Sequence, residues 1–213
     1  MADSVDTSAL LAWVREFARL VSAEKDRLTE LDSAIGDADH GANLDRGMTA
    51  VVAALDAEAP ADPAALFKKT GMTLISKVGG ASGPLYGTAF IRMATAAGDA
   101  SSLDPPAVAA VLRAALEGVV ARGKASLGDK TMVDALSPAV DALDAALAAG
   151  KPLPSALSDA AAAAASGRDA TIPLVARKGR ASYLGERSAG HQDPGATSVT
   201  LLVEAAATAL GGG

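Results

Sequence analysis

Residues 31–47 read LDSAIGDADHGANLDRG, and they join the end of one apolar-periodic segment to the start of another. Within ten residues the stretch holds Asp32, Gly36, Asp37, Asp39, His40 and Gly41. A compact turn can aim three short carboxylates at one point, at a large Coulomb cost unless a cation sits between them. Carboxylate oxygens with no cysteine nearby select a hard ion, Mg2+ or Ca2+. A loop that leaves coordination positions open favours Mg2+ shared with substrate phosphates. Asp32, Asp37 and Asp39 are therefore the candidate metal ligands. His40, Gly41, Ala42 and Asn43 lead into Met48, Val51, Val52 and Leu55, spaced as one face of a helix. Free backbone N–H groups at that helix start offer an anion site beside the metal. A lone Asp-x-Asp turn before a helix is commonly only a solvated cap; the density of acidic residues here sets this loop apart.

Upstream, Leu10, Val14, Phe17, Val21, Leu28 and Leu31 trace one face of a long helix, with Thr7 or Ser8 as its cap, that delivers Asp32 at its end. Downstream, a helix over 43–57 stops in the turn APADP, and Asp62 followed by Pro63 is a cap and first-turn signature for a helix running to Lys77. Next comes VGGASGPLYGTAFIRM: Gly79, Gly80 and Gly83 let backbone approach a ligand, Ser82 is placed to cap, and Pro84 opens another helix. Asp104 and Pro105 start a helix that ends at Gly123, and Asp129 is placed to cap the following one, with Lys130 open as a solvated residue of that cap turn. A helix over 155–176, with Ser155 as cap, carries a run of alanines suited to close packing and a break at Thr171 to Pro173. Arg177, Lys178, Arg180 and Arg187 then form a basic patch that feeds, through DPGATS, a final helix over 199–210 and a fraying GGG end. Asp45 reads as a helix-surface residue, and His191 as one that orders its loop.

The chain has 213 residues, 50% of them hydrophobic but only 3% aromatic, and it is rich in alanine. That composition suits closely packed helices and predicts a single all-α domain over 1–213. A formal charge of −6 disfavours a general nucleic-acid binder. No stretch approaches the roughly 20 apolar residues of a membrane span. The N-terminal text lacks a basic region before an apolar core, and zero cysteines fits a reducing compartment, so the expected setting is soluble and cytoplasmic.

GDADHG with Asp32 upstream resembles the metal loop of the L-domain family of dihydroxyacetone kinases, also called the Dak2 domain. GMTLISKVGGASGPLYGT, RGKASLGDKTM and RKGRASYLGERSAGHQDPGATS resemble the same family, so the resemblance spans residues 28–199. It implies a closed barrel of about eight antiparallel helices with the nucleotide at one rim. It implies that two Mg2+ ions on Asp32, Asp37 and Asp39 bridge the phosphates of ADP or ATP. His40, Gly41, Ala42 and Asn43 would lie at the nucleotide, as would Ala81 and Ser82. Gly123 and Met132 would lie near adenine and ribose, and Arg180, Asp193, Pro194 and Gly195 would also touch the nucleotide. The metals, His40, Ser82 and Arg180 would clamp phosphates, with no residue of this chain as covalent nucleophile or obligatory base.

In that family the kinase is divided, and the resemblance covers only the nucleotide half. The implied activity is that of a free-standing kinase subunit, active only with its partners. A K subunit holds dihydroxyacetone, and a phosphocarrier M subunit of the sugar phosphotransferase system recharges the bound ADP. The 177–195 segment, long, basic and hinged by glycines, would order over a retained nucleotide as a lid. Two alternatives stand beside this: an L subunit of an ATP-exchanging kinase for another small ketose or polyol, and an ADP-dependent coregulator of a transcription factor. A homodimer is a further admitted assembly. A stand-alone phosphatase is disfavoured, since no water-activating base is distinguishable from a metal ligand.

Overall fold

The structure, a computed structural model, describes residues 4–211; residues 1–3 and, of the end expected to fray, 212 and 213 lie outside the described residues. Among the described residues nine α-helices follow one another: α1 (Thr7–Ala23), α2 (Lys25–Ile35), α3 (His40–Ala57), α4 (Pro63–Lys77), α5 (Ser82–Ala97), α6 (Pro105–Gly123), α7 (Val133–Ala148), α8 (Leu153–Ala170) and α9 (Pro194–Leu210). A 3-10 helix, Arg180–Ser188, precedes α9. The strands β1 (Val5–Asp6) and β2 (Ser102–Leu103), too short for periodicity to reveal, pair antiparallel. Each helix packs on its successor and α9 returns to α1, so the ring closes. With α1 and α2 sharing one position, the ring has the eight staves of the expected all-α barrel. No helix among the described residues is long and apolar enough to cross a membrane.

The closure is made by buried side chains. Trp13 on α1 is fully buried and donates its indole N–H to the Leu202 carbonyl of α9 at 2.9 Å. Its ring meets Phe67 of α4 edge-on at 6.1 Å, Phe67 meets Phe90 of α5, and Phe17 meets Tyr86. Such pairs add to the area they bury. The alanines of α8 act as expected: Ala156, Ala160 and Ala164 are buried. A Cβ on Gly167 would lie 2.2 Å from the Asp134 carbonyl, so α8 meets α7 at backbone distance.

Local chemistry places most helix starts. Asp62, Asp104 and Asp193 each accept the N–H three residues on and are followed by proline. The first helix departs from expectation twice. Its cap is Asp6, whose carboxylate accepts the Ala9 N–H at 2.8 Å, leaving Thr7 as the first helical residue. It also breaks at Glu24, within the seven-residue step from the buried Val21 to the buried Leu28. The break turns α2 so that Ile35 packs with Ala176, Ala181 and Leu184 beside the 3-10 helix. α8 begins at Leu153, with Ser155 inside its first turn, and stops at Ala170, so Thr171 to Pro173 end the helix and do not kink it. α9 begins at Pro194, five residues before the expected start at Val199.

Candidate functional site at one rim

α2 ends at Ile35 and presents Asp32 from its last turn. One oxygen of Asp32 accepts the backbone N–H groups of Asp39 (2.9 Å) and His40 (3.1 Å), so α3 starts at His40, three residues earlier than periodicity predicts. Donors expected to be free for an anion are thus partly taken by a carboxylate, which also gains from the helix dipole. The turn is tight: Ala38 sits at φ +60°, a left-handed conformation that is sparse for a residue with a side chain. One oxygen from each of Asp32, Asp37 and Asp39 lies within 4.8 Å of the others. Three hard anionic oxygens in that space fit a divalent cation. A protein cation also reaches the cluster, for Arg180 Nε stands 2.9 Å from Asp37 Oδ2.

A polar chamber opens from this loop, walled by Asp32, Asp39, His40, Ser82, Arg180 and Asp193 among others. An apolar chamber adjoins it, walled by Pro84, Leu85, Val119, Gly123, Ala125 and Val133. They share Ala81, Leu85, Thr131, Met132, Lys178 and Gly179 as common lining. Together they offer a charged end and an apolar end. Of the candidate residues, Asp32, Asp37, Asp39, His40, Ala81, Ser82, Met132, Arg180, Asp193, Pro194 and Gly195 meet at the polar chamber, and Gly123 at the apolar one. Gly41, Ala42 and Asn43 do not line either. Gly41 packs where a Cβ would lie 2.1 Å from the Lys25 carbonyl, and the Asn43 side chain takes Arg46 at 2.6 Å. Of the basic patch, Lys178 and Arg180 reach the lining; Arg177 and Arg187 are exposed away from it.

Ser82 does not cap α5. It is the first helical residue, and its hydroxyl lies 2.9 Å from His40 Nδ1. His40 is buried, and desolvation pushes its imidazole below the ordinary value against the pull of Asp32 and Asp39. Asp193 is buried beside Lys130; burial raises its carboxyl to about 7 although the Ala196 N–H and Lys130 act the other way. Asp129 does not cap α7 either. Its carboxylate closes the preceding turn on the Ser126 N–H, while Asp134, inside α7, accepts from Gly128 and Thr131.

Lys130 is not solvated. It is 1% exposed, sits at φ +62°, and its ammonium donates to the carbonyls of Thr171 (2.9 Å), Leu174 (3.0 Å) and His191, with Ile172 at 3.4 Å. Burial lowers its pKa and Asp193 opposes the shift. Lys130 thus pins both ends of the segment that carries Lys178 and Arg180. The one signal for it in the sequence is its place in GDKTM, beside a residue already suspected at the site. The side chains of Tyr86 and Ser198, behind His40, carry no signal at all, since an aromatic and a serine at helical spacing read as core.

The DAK2 domain family matches residues 34–208. The chain is 47% identical over 206 residues, 97% of its length and 98% of the relative's, to the ADP-binding subunit DhaL of the PEP-dependent dihydroxyacetone kinase of Escherichia coli strain K12. It is 42% identical over 201 residues, 94% of its length and 95% of the relative's, to the ADP-binding subunit DhaL of the PTS-dependent dihydroxyacetone kinase of Lactococcus lactis. The crystal structure of the dihydroxyacetone kinase from C. freundii in complex with AMP-PNP and Mg2+ superposes with a TM-score of 0.70 at 28% identity. The match covers 94% of this chain and 34% of that longer kinase. The acidic loop from Asp37, the Ala81–Ser82 turn and the Asp193 cap all fall inside the matched span, and the chain belongs to the DAK2 domain family.

Proposed function

We propose that the chain is the ADP- and Mg2+-binding subunit of a divided dihydroxyacetone kinase. It passes phosphate from its nucleotide to dihydroxyacetone held on a separate K subunit, and its ADP is recharged in place by a phosphocarrier M subunit in the cytoplasm. One observation carries the reading: a three-carboxylate cluster opens onto a polar chamber that shares a wall with an apolar chamber. The kinship with DhaL subunits of PEP- and PTS-dependent kinases names the chemistry. Asp32, Asp37 and Asp39 would hold two Mg2+ ions, which when bound draw charge from phosphate oxygens. Arg180 leaves Asp37 to meet a phosphate, Met132 and Gly123 flank adenine and ribose, and Asp193, Pro194 and Gly195 close the rim. The protein's part is positioning and charge neutralisation, with the acceptor hydroxyl supplied by the partner.

Titration calorimetry of ADP with and without Mg2+ tests the site. The wild-type chain is expected to bind at least about tenfold more tightly with Mg2+, and Asp37→Asn to lose that dependence. Unchanged metal dependence in Asp37→Asn overturns the ligand assignment. Retention is a separate expectation. Purified without added nucleotide and then denatured, the chain should release near-stoichiometric ADP on an anion-exchange column. An empty site that exchanges ATP quickly instead selects an ATP-using kinase of the same family.

A further inference from the structure

The segment between Arg177 and Ser188 is fixed at both ends and held lightly in the middle. At one end the Arg177 N–H donates to the Asp129 carbonyl at 3.0 Å, and Lys130 holds the carbonyls of Thr171 and Leu174. At the other, the Gly190 N–H donates to the Ile172 carbonyl at 2.8 Å, and Ser188 Oγ accepts the Ala176 N–H at 2.8 Å. Among the described residues, the one polar contact that 178–187 makes beyond its own flanks is the pair of Arg180 with Asp37, and that guanidinium is exposed. Otherwise the 3-10 helix rests on an apolar patch, where Ile35 of α2 meets Ala176, Ala181 and Leu184, separate from the core of the barrel. Gly179 (φ +65°) and Gly185 (φ +55°) bracket the part that carries Leu184, each with open space where a Cβ would stand. These are joints that turn without meeting a packed neighbour. Lys178 and Gly179 line both chambers, and Arg180 and Ala181 line the polar one, so the segment is a wall of the site.

We infer that Ile35 and Leu184 are positioning residues that latch this wall: their contact keeps residues 180–184 shut over the site, and its release lets them swing on Gly179 and Gly185 while Lys130 keeps the flanks in place. The opening is local, because one isoleucine, one half-buried leucine and two alanines hold far less apolar surface than the core. Leu184 and Ala176 line neither chamber. A contact made outside the chambers holds equally whether they are filled or not, so it cancels from affinity. It remains in the barrier that a ligand crosses on the way in and on the way out. The latch therefore sets how long a ligand stays, which suits a nucleotide recharged in place. That the ligand is a nucleotide rests on the proposed function; the latch itself does not.

Leu184→Ala trims the latch from the 3-10 helix, and Ile35→Ala trims it from α2. In hydrogen exchange of the full chain without added nucleotide, both variants are expected to speed the amides of 181–184 roughly tenfold, with the Arg177 and Gly190 amides unchanged. In stopped-flow mixing with N-methylanthraniloyl-ADP in Mg2+, association and dissociation should both quicken, each roughly tenfold, while Kd stays within about twofold. A residue that merely supports the site would weaken Kd through dissociation alone. Unchanged exchange at 181–184 in both variants overturns the inference, and so does an affinity loss carried by dissociation alone. If Ile35→Ala disturbs the acidic loop beside it, Leu184→Ala still decides. A wild-type chain that binds no ADP overturns the proposed function, and the exchange result, read without ligand, still judges the latch.

Discussion

Lys130→Met is expected to lower the stability of the ligand-free chain by about 3–5 kcal/mol in a urea unfolding series. Methionine fills much of the same space, so the loss is not that of a cavity. It is the loss of an ammonium whose protons are divided among carbonyls of Thr171, Leu174 and His191, with Ile172 sharing at longer range. Leaving buried acceptors unsatisfied costs about 1–3 kcal/mol each, less where the loop relaxes to water. The left-handed backbone at Lys130 adds a strain that only these contacts justify. Hydrogen exchange should locate the damage: the Arg177 N–H, held by Asp129, and the Gly190 N–H, held by Ile172, should lose protection together. A loss under about 1 kcal/mol with protection intact would show that the 171–193 segment is anchored by other contacts.

Gly36→Ala should leave the barrel folded and cost the site its metal, weakening Mg2+-dependent ADP binding about a hundredfold while binding without Mg2+ changes little. A Cβ on Gly36 would stand 2.0 Å from Asp32 Oδ1, 2.9 Å from its Cγ and 3.0 Å from its backbone oxygen. The carboxylate must swing away, and in doing so it drops the Asp39 and His40 N–H groups that its other oxygen holds. One methyl group thus disturbs both the ligand set and the start of α3. Circular dichroism of the variant should match the wild type, while calorimetry in Mg2+ separates the two. Equal affinities would mean that Asp32 is a helix cap and no part of a metal site.

Local signals were legible where a residue acts on its near neighbours. Asp62 and Asp104 each precede a proline and cap the helix that follows, and the alanines of α8 pack as their size predicts; the same Asp-Pro pair at Asp193 sits in a stretch that reads as loop, so the expected start of α9 falls too late. The three carboxylates could be gathered in advance because a short loop holds Asp37 and Asp39 close to Asp32. What could not be read depends on partners far along the chain. Lys130 is surrounded by carbonyls from 171–191, and no spacing rule links a lysine to carbonyls 40 to 60 residues away. The break at Glu24 has no glycine or proline to announce it; it exists because Ile35 packs toward the 3-10 helix. Ser82 looked like a cap because serines before prolines often are, and a histidine on another helix claimed its hydroxyl.

Trp13 hydrogen-bonds across 189 positions to α9, and the rim closes on Asp193 and Gly195 at the start of that same helix. During synthesis α9 emerges after the other eight helices of the ring, so the seam of the barrel and the rim must wait for it. Until then α1 holds a bare indole edge and α8 lacks one of its two neighbours, surfaces that invite association with other nascent chains. Both complete at one moment: a chain cut before α9 has neither a sealed core nor a finished rim.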